Sequence, residues 1–204
     1  SENGFDVTGI EIAEKMLEKA RENLRNAGKV LNLNFIQNDI RNLKLNKSFD
    51  IVISLFHVMS YQTSNSDLKK TLSTVKEHLK EDGLLIFDFW YGPGVLTVKP
   101  EKRVKFLEDD EIIVERFAEP VIRINENIVD VNYTIHIMDK LKGFKNELQE
   151  THSMRYFFIP ELKILLDEMN MGILHFEEWM TGNKPDESSW SVLVLAGNKS
   201  KTKL

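Results

Sequence analysis

Hydrophobic positions in the first ninety residues form short strand-like runs separated by helix-like stripes. The runs predict strands over residues 5–10, 31–37, 49–55 and 84–89, with a turn at Asp82-Gly83 before the last. Apolar residues at helical spacing predict a first helix over residues 13–27, capped by Gly28. Ser64 and Asp67 mark the start of a second helix. Strands apolar on both faces that alternate with amphipathic helices predict three successive β-α-β crossings of a doubly wound α/β fold.

A different pattern begins after Pro93. Alternation over residues 104–138, with turn signals at 108–110 and 125–127, predicts an antiparallel β meander that a strand or bent pair over 144–158 continues. Pro160 suits the first turn of a helix that ends at Asn170, and two closing strands are predicted at 173–180 and 189–196. The pattern divides the chain into a core, residues 1–93 and 159–204, and an inserted antiparallel sheet, residues 94–158.

Composition limits the functions that such a fold could serve. The 27 basic and 32 acidic residues give a net charge of −5, without a basic run interleaved with aromatic residues, so we expect no nucleic-acid partner. The absence of cysteine excludes disulfides, thiolate zinc sites and cysteine nucleophiles. No two histidines or acids show metal-ligand spacing, so the sequence predicts no metal site.

Hydropathy and the start of the chain predict a cytoplasmic protein. The longest apolar runs, such as residues 84–87, are too short to span a bilayer, so we expect no membrane partner. Residues 1–4 are polar and acidic and do not resemble a signal peptide.

Acidic residues follow the first two predicted strands, at the edge where open α/β sheets bind ligands. The Glu11 carboxylate is suited to accept both hydroxyls of a ribose, or it stabilises the N-terminus of the following helix. Asp39 is placed to accept the exocyclic amine of adenine, or it satisfies its own turn backbone. Ile12 would then lie against the adenine face, and the Ile40 amide would meet a ring nitrogen.

This arrangement resembles class I S-adenosylmethionine-dependent methyltransferases. Gly9–Leu17 is similar to their second-strand motif, with Glu11 in place of the usual aspartate, and residues 38–40 resemble their adenine-binding motif. Residues 49–54 resemble their fourth strand, and the closing hairpin fits the end of their sheet. The resemblance implies a Rossmann-like methyltransferase sheet, S-adenosyl-L-methionine as cofactor, and a cofactor site of Glu11, Ile12, Asp39, Ile40 and Phe56.

A narrower resemblance covers residues 56–155. Phe56–Tyr61, Phe87–Pro93 and the meander after them resemble N,N-dimethyltransferases that act on nucleotide-linked amino sugars. The resemblance implies methyl transfer to a small polar acceptor, in its most specific form the amine of such a sugar. It also implies that the inserted sheet covers the active site and contributes to a homodimer.

The sequence departs from the family at one place. The family's first strand and its acidic, glycine-rich loop should precede Phe5, and no residues here match them. We therefore expect an amino-terminally truncated core, the alternative being a protein that does not hold methionine in the usual way.

Two candidate catalytic residues lie in the predicted loop after the fourth family strand. Tyr61 would position or deprotonate an acceptor amine, or it packs as an amphipathic aromatic at a helix start. His57 is the second candidate base, since imidazole titrates near neutral pH, or it is a satisfied loop histidine.

Five further residues are predicted to contact the substrate. Asp88, Trp90 and Tyr91 would form a wall that attracts a cationic amine and stacks a sugar or base. His152 and Arg155 would reach the substrate or its phosphates, or they form a surface pair on a strand.

Three other functions stay open on the sequence. One is O-methylation of a small metabolite. A nicotinamide-dependent dehydrogenase would also place an acid after the second strand, although the closing hairpin and Asp39 argue against it. A non-catalytic dimerisation or interaction module would follow if the glycine-rich loop is natively absent.

Overall fold

The computed structural model describes residues 3–28, 32–143 and 145–199. Leu31 and Phe144, which open two of the predicted strands, lie outside these ranges. The described elements follow in this order: β1 (Val7–Glu11), α1 (Glu14–Asn26), β2 (Leu33–Gln37), β3 (Phe49–Ser54), α2 (Asn65–His78), β4 (Leu79–Tyr91), α3 (Gly92–Val98), β5 (Arg103–Glu108), β6 (Ile112–Arg123), β7 (Ile128–Asp139), β8 (Lys145–Phe157), α4 (Ile159–Glu168), β9 (Met171–Glu178) and β10 (Ser191–Asn198).

The larger sheet runs in the order β5-β6-β7-β8-β4-β10-β9, with β3 beside β4. β3 is parallel to β4, whereas β10 is antiparallel to both β4 and β9. The predicted mixed α/β architecture, the antiparallel meander and the closing hairpin are therefore confirmed.

β1 and β2 form a separate parallel pair whose ends carry the predicted cofactor residues. Gly9 lets the two strands pack closely, because a Cβ there would lie 2.8 Å from the Phe35 ring. Among the described residues, β1 pairs only with β2 and β3 only with β4. Ile51 and Ile53 of β3 are 45% and 59% exposed. The truncation of the core remains a prediction.

Two details predicted for the core are wrong. Residues 38–48 form a loop with a turn at residues 40–42, so the second of the expected crossings has no helix. Asp82-Gly83 lies inside β4 instead of forming a turn before it. The turn signal is overridden because Leu79 and Leu85, on either side, are both buried in the core. The Leu79 side chain also lies over Gly83, where a Cβ would be 2.7 Å away.

The inserted segment continues the core sheet. β8 pairs in parallel with the end of β4, where Trp90 faces Tyr156 and Tyr91 faces Phe157. The short helix α3, which the sequence pattern did not predict, leads from β4 into the insert. It packs closely on the loop before β10, because a Cβ on Gly94 would lie 2.0 Å from the Ser189 carbonyl oxygen.

Two apolar clusters hold these layers together. The larger joins α2 and α4 to β4 and β10, and includes Leu72, Phe87, Leu166 and Val194. The smaller joins α3 to the insert through Val95, Val129, Val131 and Tyr156, with Trp90 and Trp190 packed against it. Among the described residues, every helix falls short of the length and apolarity that a membrane crossing requires.

Candidate active site

Glu11 and Ile12 lie at the carboxyl end of β1, beside the end of β2. The Glu11 carbonyl accepts a hydrogen bond from the Asn38 amide at 3.1 Å, which ties the two strand ends together. One Glu11 carboxylate oxygen accepts from the Ala13 amide at 2.9 Å, at the start of α1. Ile12 is 61% exposed, so an apolar side chain lies at the surface next to the carboxylate. The strand ends thus place an acid and an apolar face side by side.

Asp39 lies just beyond β2, where its carboxylate is held by Arg41. The Arg41 Nε and Nη2 atoms donate to it at 2.9 and 2.6 Å, and the Arg41 amide donates at 2.9 Å. These hydrogen bonds, the side-chain bonds above all, lower the pKa of Asp39 and keep it ionised. Ile40, between them, is partly buried.

The segment after β3 has an unusual backbone. Phe56 and His57 both have positive φ, at 61° and 66°. Such conformations cost about 1–3 kcal/mol for a non-glycine residue and are concentrated at functional sites. Phe56 is 80% exposed, with its ring 6.4 Å from that of Trp179 in the loop after β9. The following 3₁₀ turn, Val58–Tyr61, is held to β4 because the Trp90 amide donates to the Ser60 hydroxyl at 3.1 Å.

His57 and Asp88 form a close pair at the ends of β3 and β4. Asp88 is 1% exposed, and one of its oxygens accepts from the His57 amide at 3.0 Å. Its other oxygen lies 2.9 Å from His57 Nδ1, although the two atoms do not have hydrogen-bond geometry. The His57 ring also contacts Trp90 edge-on, with ring centroids 6.2 Å apart. A buried carboxylate therefore holds the His57 backbone and lies beside a partly exposed imidazole.

Tyr61 and His152 form a second pair, between the 3₁₀ turn and β8. The Tyr61 hydroxyl lies 2.9 Å from His152 Nδ1, and the two rings are in edge contact. Burial, with a smaller contribution from nearby Tyr133, raises the pKa of Tyr61. A raised pKa keeps the phenol protonated at neutral pH, so Tyr61 is better suited to positioning a substrate than to removing a proton.

The remaining predicted residues divide between the two clusters and the insert. Trp90 stays near His57 and packs edge-on against Trp190, at a centroid distance of 5.5 Å. The structure does not bring Tyr91 to this group, since it packs on the opposite face of β4 against the larger cluster. Arg155 is buried and donates to the Thr63 carbonyl and to Glu161, at 3.3 and 2.5 Å.

Sequence reasoning missed Arg41, Ser60 and Trp179. Arg41 could have been found from its spacing, because a residue two positions after a turn aspartate can reach back to it. Ser60 and Trp179 carry no comparable local signal. They reach the site only through the packing of the turn on β4 and of the closing hairpin against Phe56.

Comparison with known proteins identifies the family. A family model described as a methyltransferase domain matches residues 1–83. A protein of Geobacillus sp. (strain WCH70) assigned to the methyltransferases is 34% identical over 196 residues, covering 96% of this chain and 77% of that protein. The chain belongs to the S-adenosylmethionine-dependent methyltransferases. The predicted family, enzyme class and cofactor are thereby confirmed.

One further curated relative and one solved structure are also similar to this chain. The dTDP-3-amino-3,4,6-trideoxy-alpha-D-glucopyranose N,N-dimethyltransferase of Streptomyces venezuelae is 24% identical over 182 residues, covering 87% of this chain and 70% of that enzyme. The crystal structure of an S-adenosylmethionine-dependent methyltransferase from Clostridium acetobutylicum ATCC 824 superimposes with a TM-score of 0.78, at 22% identity, covering 95% of this chain and 75% of that one. The superposition confirms the predicted Rossmann-like fold.

The residues of this methyltransferase at the ends of β1 and β2 fit the adenosine part of the cofactor. Glu11 and Asp39 supply carboxylate acceptors for hydroxyl and amine donors, and Ile12 supplies an exposed apolar surface for a flat ring. Phe56 presents an exposed ring just after β3, on the side towards Trp179.

Proposed function

We propose that this methyltransferase acts on the amine of a small polar molecule, with nucleotide-linked amino sugars as the acceptor class. The observation that carries the proposal is the His57–Asp88 pair at the ends of β3 and β4. An amine that is protonated in water must lose a proton before it can attack a methyl group, and an oriented imidazole can accept that proton. The name of the Streptomyces venezuelae relative supports the amino-sugar acceptor.

The cofactor side of the proposal uses the two strand ends. S-Adenosylmethionine, when bound, supplies an electrophilic methyl group on a sulfonium. Glu11 holds the ribose hydroxyls, Asp39 accepts the exocyclic amine of adenine, and Ile12 packs on the ring. The Ile40 amide faces a ring nitrogen, and Phe56 covers the cofactor and helps to exclude water from the reaction.

The acceptor side of the proposal uses the His57–Asp88 pair and the aromatic residues around it. Asp88 holds the His57 amide and lies beside its ring, so its proposed role is to support the base and not to attract the amine directly. Tyr61 and His152 hold the acceptor through hydrogen bonds, and Trp90 supplies an aromatic edge beside the imidazole. Arg155 contributes by fixing the loop at Thr63, and Tyr91 by supporting β4 from the core.

The acceptor class can be tested with matched substrates. We expect methyl transfer from labelled S-adenosylmethionine to a dTDP-linked amino sugar about 100-fold faster than to the same sugar with a hydroxyl in place of the amine, since a neutral amine is a stronger nucleophile than a neutral hydroxyl. The measurement is incorporation of label at equal substrate concentrations. Faster transfer to the hydroxyl sugar would favour O-methylation instead. Cofactor binding without transfer to either sugar would contradict the proposed acceptor.

A homodimer formed through the insert, in the cytoplasm, is part of the proposal. Val104 and Phe106 lie on one face of β5 and are 64% and 54% exposed, as is typical of an apolar surface that a second copy covers. We expect light scattering to give about twice the chain mass of 23.7 kDa. Phe106→Glu should weaken the dimer at least about 100-fold, because it places a charge where the proposed dimer would bury an aromatic ring. Lys105→Glu, on the opposite face of β5, is the matched control, and a monomeric wild-type chain would contradict the dimer.

A further inference from the structure

Arg41 lies between two carboxylates next to the proposed adenine position. Its Nε and Nη2 atoms bind Asp39, and its Nη1 atom lies 3.4 Å from an Asp67 oxygen in the first turn of α2. The three side chains are all partly buried, with exposed fractions of 38% for Arg41, 24% for Asp39 and 28% for Asp67. Partial burial and two-sided contact distinguish this arrangement from an isolated surface ion pair.

The guanidinium fixes Asp39 together with the backbone. The Arg41 amide donates to Asp39 Oδ1, and the Asp39 amide donates to the Asn38 side chain at 2.8 Å. Asn38 is itself tied to Glu11 through its backbone. The carboxylate at the end of β2 is therefore held in one orientation relative to the end of β1.

The hydrogen bonds to Asp39 leave one of its carboxylate oxygens able to accept a further donor. Asp39 Oδ1 accepts from the Arg41 amide and from Nε, while Oδ2 accepts from Nη2 at 2.6 Å and shares the single Nε hydrogen at 3.0 Å. An ionised carboxylate offers about two acceptor positions on each oxygen. Oδ2 thus keeps capacity for one more donor, whereas Oδ1 has two full partners.

Asp67 holds the far side of the guanidinium. Its own position is fixed because its amide donates to the Ser64 hydroxyl at 3.0 Å, and that hydroxyl donates to Asp67 Oδ2 at 2.8 Å. The N-terminal turn of α2 therefore anchors Arg41 from the side opposite to Asp39.

We propose that Arg41 is a positioning residue of the adenine subsite, which orients Asp39 so that Oδ2 accepts the exocyclic amine. The inference rests on the proposed placement of adenine at Asp39. Arg41 acts through Asp39 and does not itself touch the base. Lysine would keep the charge at position 41 but would lose the planar fork that contacts both oxygens.

Calorimetry with two ligands tests this role without requiring activity. The ligands are S-adenosylhomocysteine and its purine-riboside analogue, in which a hydrogen replaces the exocyclic amine. We expect the wild-type chain to prefer the amine-bearing ligand about tenfold or more, as for one hydrogen bond to a charged group. Arg41→Met should reduce this preference to about twofold or less, mostly through weaker binding of S-adenosylhomocysteine. Arg41→Lys should lie between the two.

Control variants distinguish the positioning role of Arg41 from the underlying assignment of adenine to Asp39. Arg25→Met, on the exposed side of α1, should leave the preference unchanged. A preference that persists in both Arg41→Met and Arg41→Lys would overturn the positioning role, and an increased preference would mean that Arg41 competes with the base. A wild-type chain without any preference would instead contradict the assignment of adenine to Asp39. If Arg41→Met does not fold, as judged by thermal unfolding, Arg41→Lys and Asp67→Asn give the same comparison.

Discussion

Replacing His57 with glutamine is expected to lower kcat about 10²- to 10⁴-fold while leaving the affinity for S-adenosylhomocysteine within about twofold. Glutamine keeps a polar side chain of similar reach but cannot accept a proton at neutral pH. The imidazole lies 2.9 Å from the buried Asp88 carboxylate, which glutamine would contact without being able to take up a proton. Steady-state kinetics with a dTDP-linked amino sugar, together with calorimetry of the cofactor product, measures both quantities.

Two further variants test the chemistry of this pair. His57→Gly fits the positive φ of 66° at this position, so added imidazole should restore part of the lost rate by occupying the vacated space. Asp88→Asn should lower kcat less than loss of the imidazole does, and should change the ¹⁵N shifts of the His57 ring because a neutral amide replaces the carboxylate 2.9 Å from Nδ1.

His175 supplies a matched control for the histidine substitution. It is a surface histidine whose Nε2 lies 3.0 Å from Glu177, so it is also paired with a carboxylate but lies outside the site. His175→Gln should leave kcat within about twofold. An unchanged kcat in His57→Gln would exclude His57 as the base and leave only a role in folding the turn.

Replacing Glu11 with alanine is expected to weaken S-adenosylhomocysteine binding about 10- to 100-fold, because one or two hydrogen bonds from ribose hydroxyls to a charged acceptor are lost. The same change removes the contact with the Ala13 amide and should cost about 1 kcal/mol of stability or less. Calorimetry gives the affinity, and thermal unfolding of the free chain gives the stability.

Glu14 separates a ribose acceptor from an acid that only stabilises a helix. It lies in the first turn of α1, three residues beyond Glu11, where it has the same favourable position relative to the helix dipole. Glu14→Ala should leave cofactor affinity within about twofold. Equal losses in the two variants, or no loss in Glu11→Ala, would contradict the assignment of the ribose to Glu11. A cofactor analogue without the 2′-hydroxyl should show a smaller difference between wild type and Glu11→Ala.

Local pattern alone predicted much of the fold and supplied the residues of the proposed cofactor site. Period-two and helical spacing identified the strands, the meander and the closing hairpin, because each spacing reports which face of one element is buried. Glu11 and Asp39 were recognisable because Glu11 ends β1 and Asp39 lies two residues beyond the end of β2, and parallel strands end at the same edge of a sheet. Such features depend on only a few neighbouring residues, so they can be predicted without the positions of the rest of the chain.

Only the tertiary structure brought together the residues of the proposed acceptor site. His57 and Asp88 are 31 residues apart, and Tyr61 and His152 are 91 residues apart, so their contacts depend on the order of strands and on how the insert joins β4. The positive φ angles of Phe56 and His57 run against the preference of both residues, so no local sequence pattern indicates them. The surroundings of Tyr91 and Asp88 also depend on tertiary packing. Strand alternation places Tyr91 against the core, and Asp88 is buried beside His57.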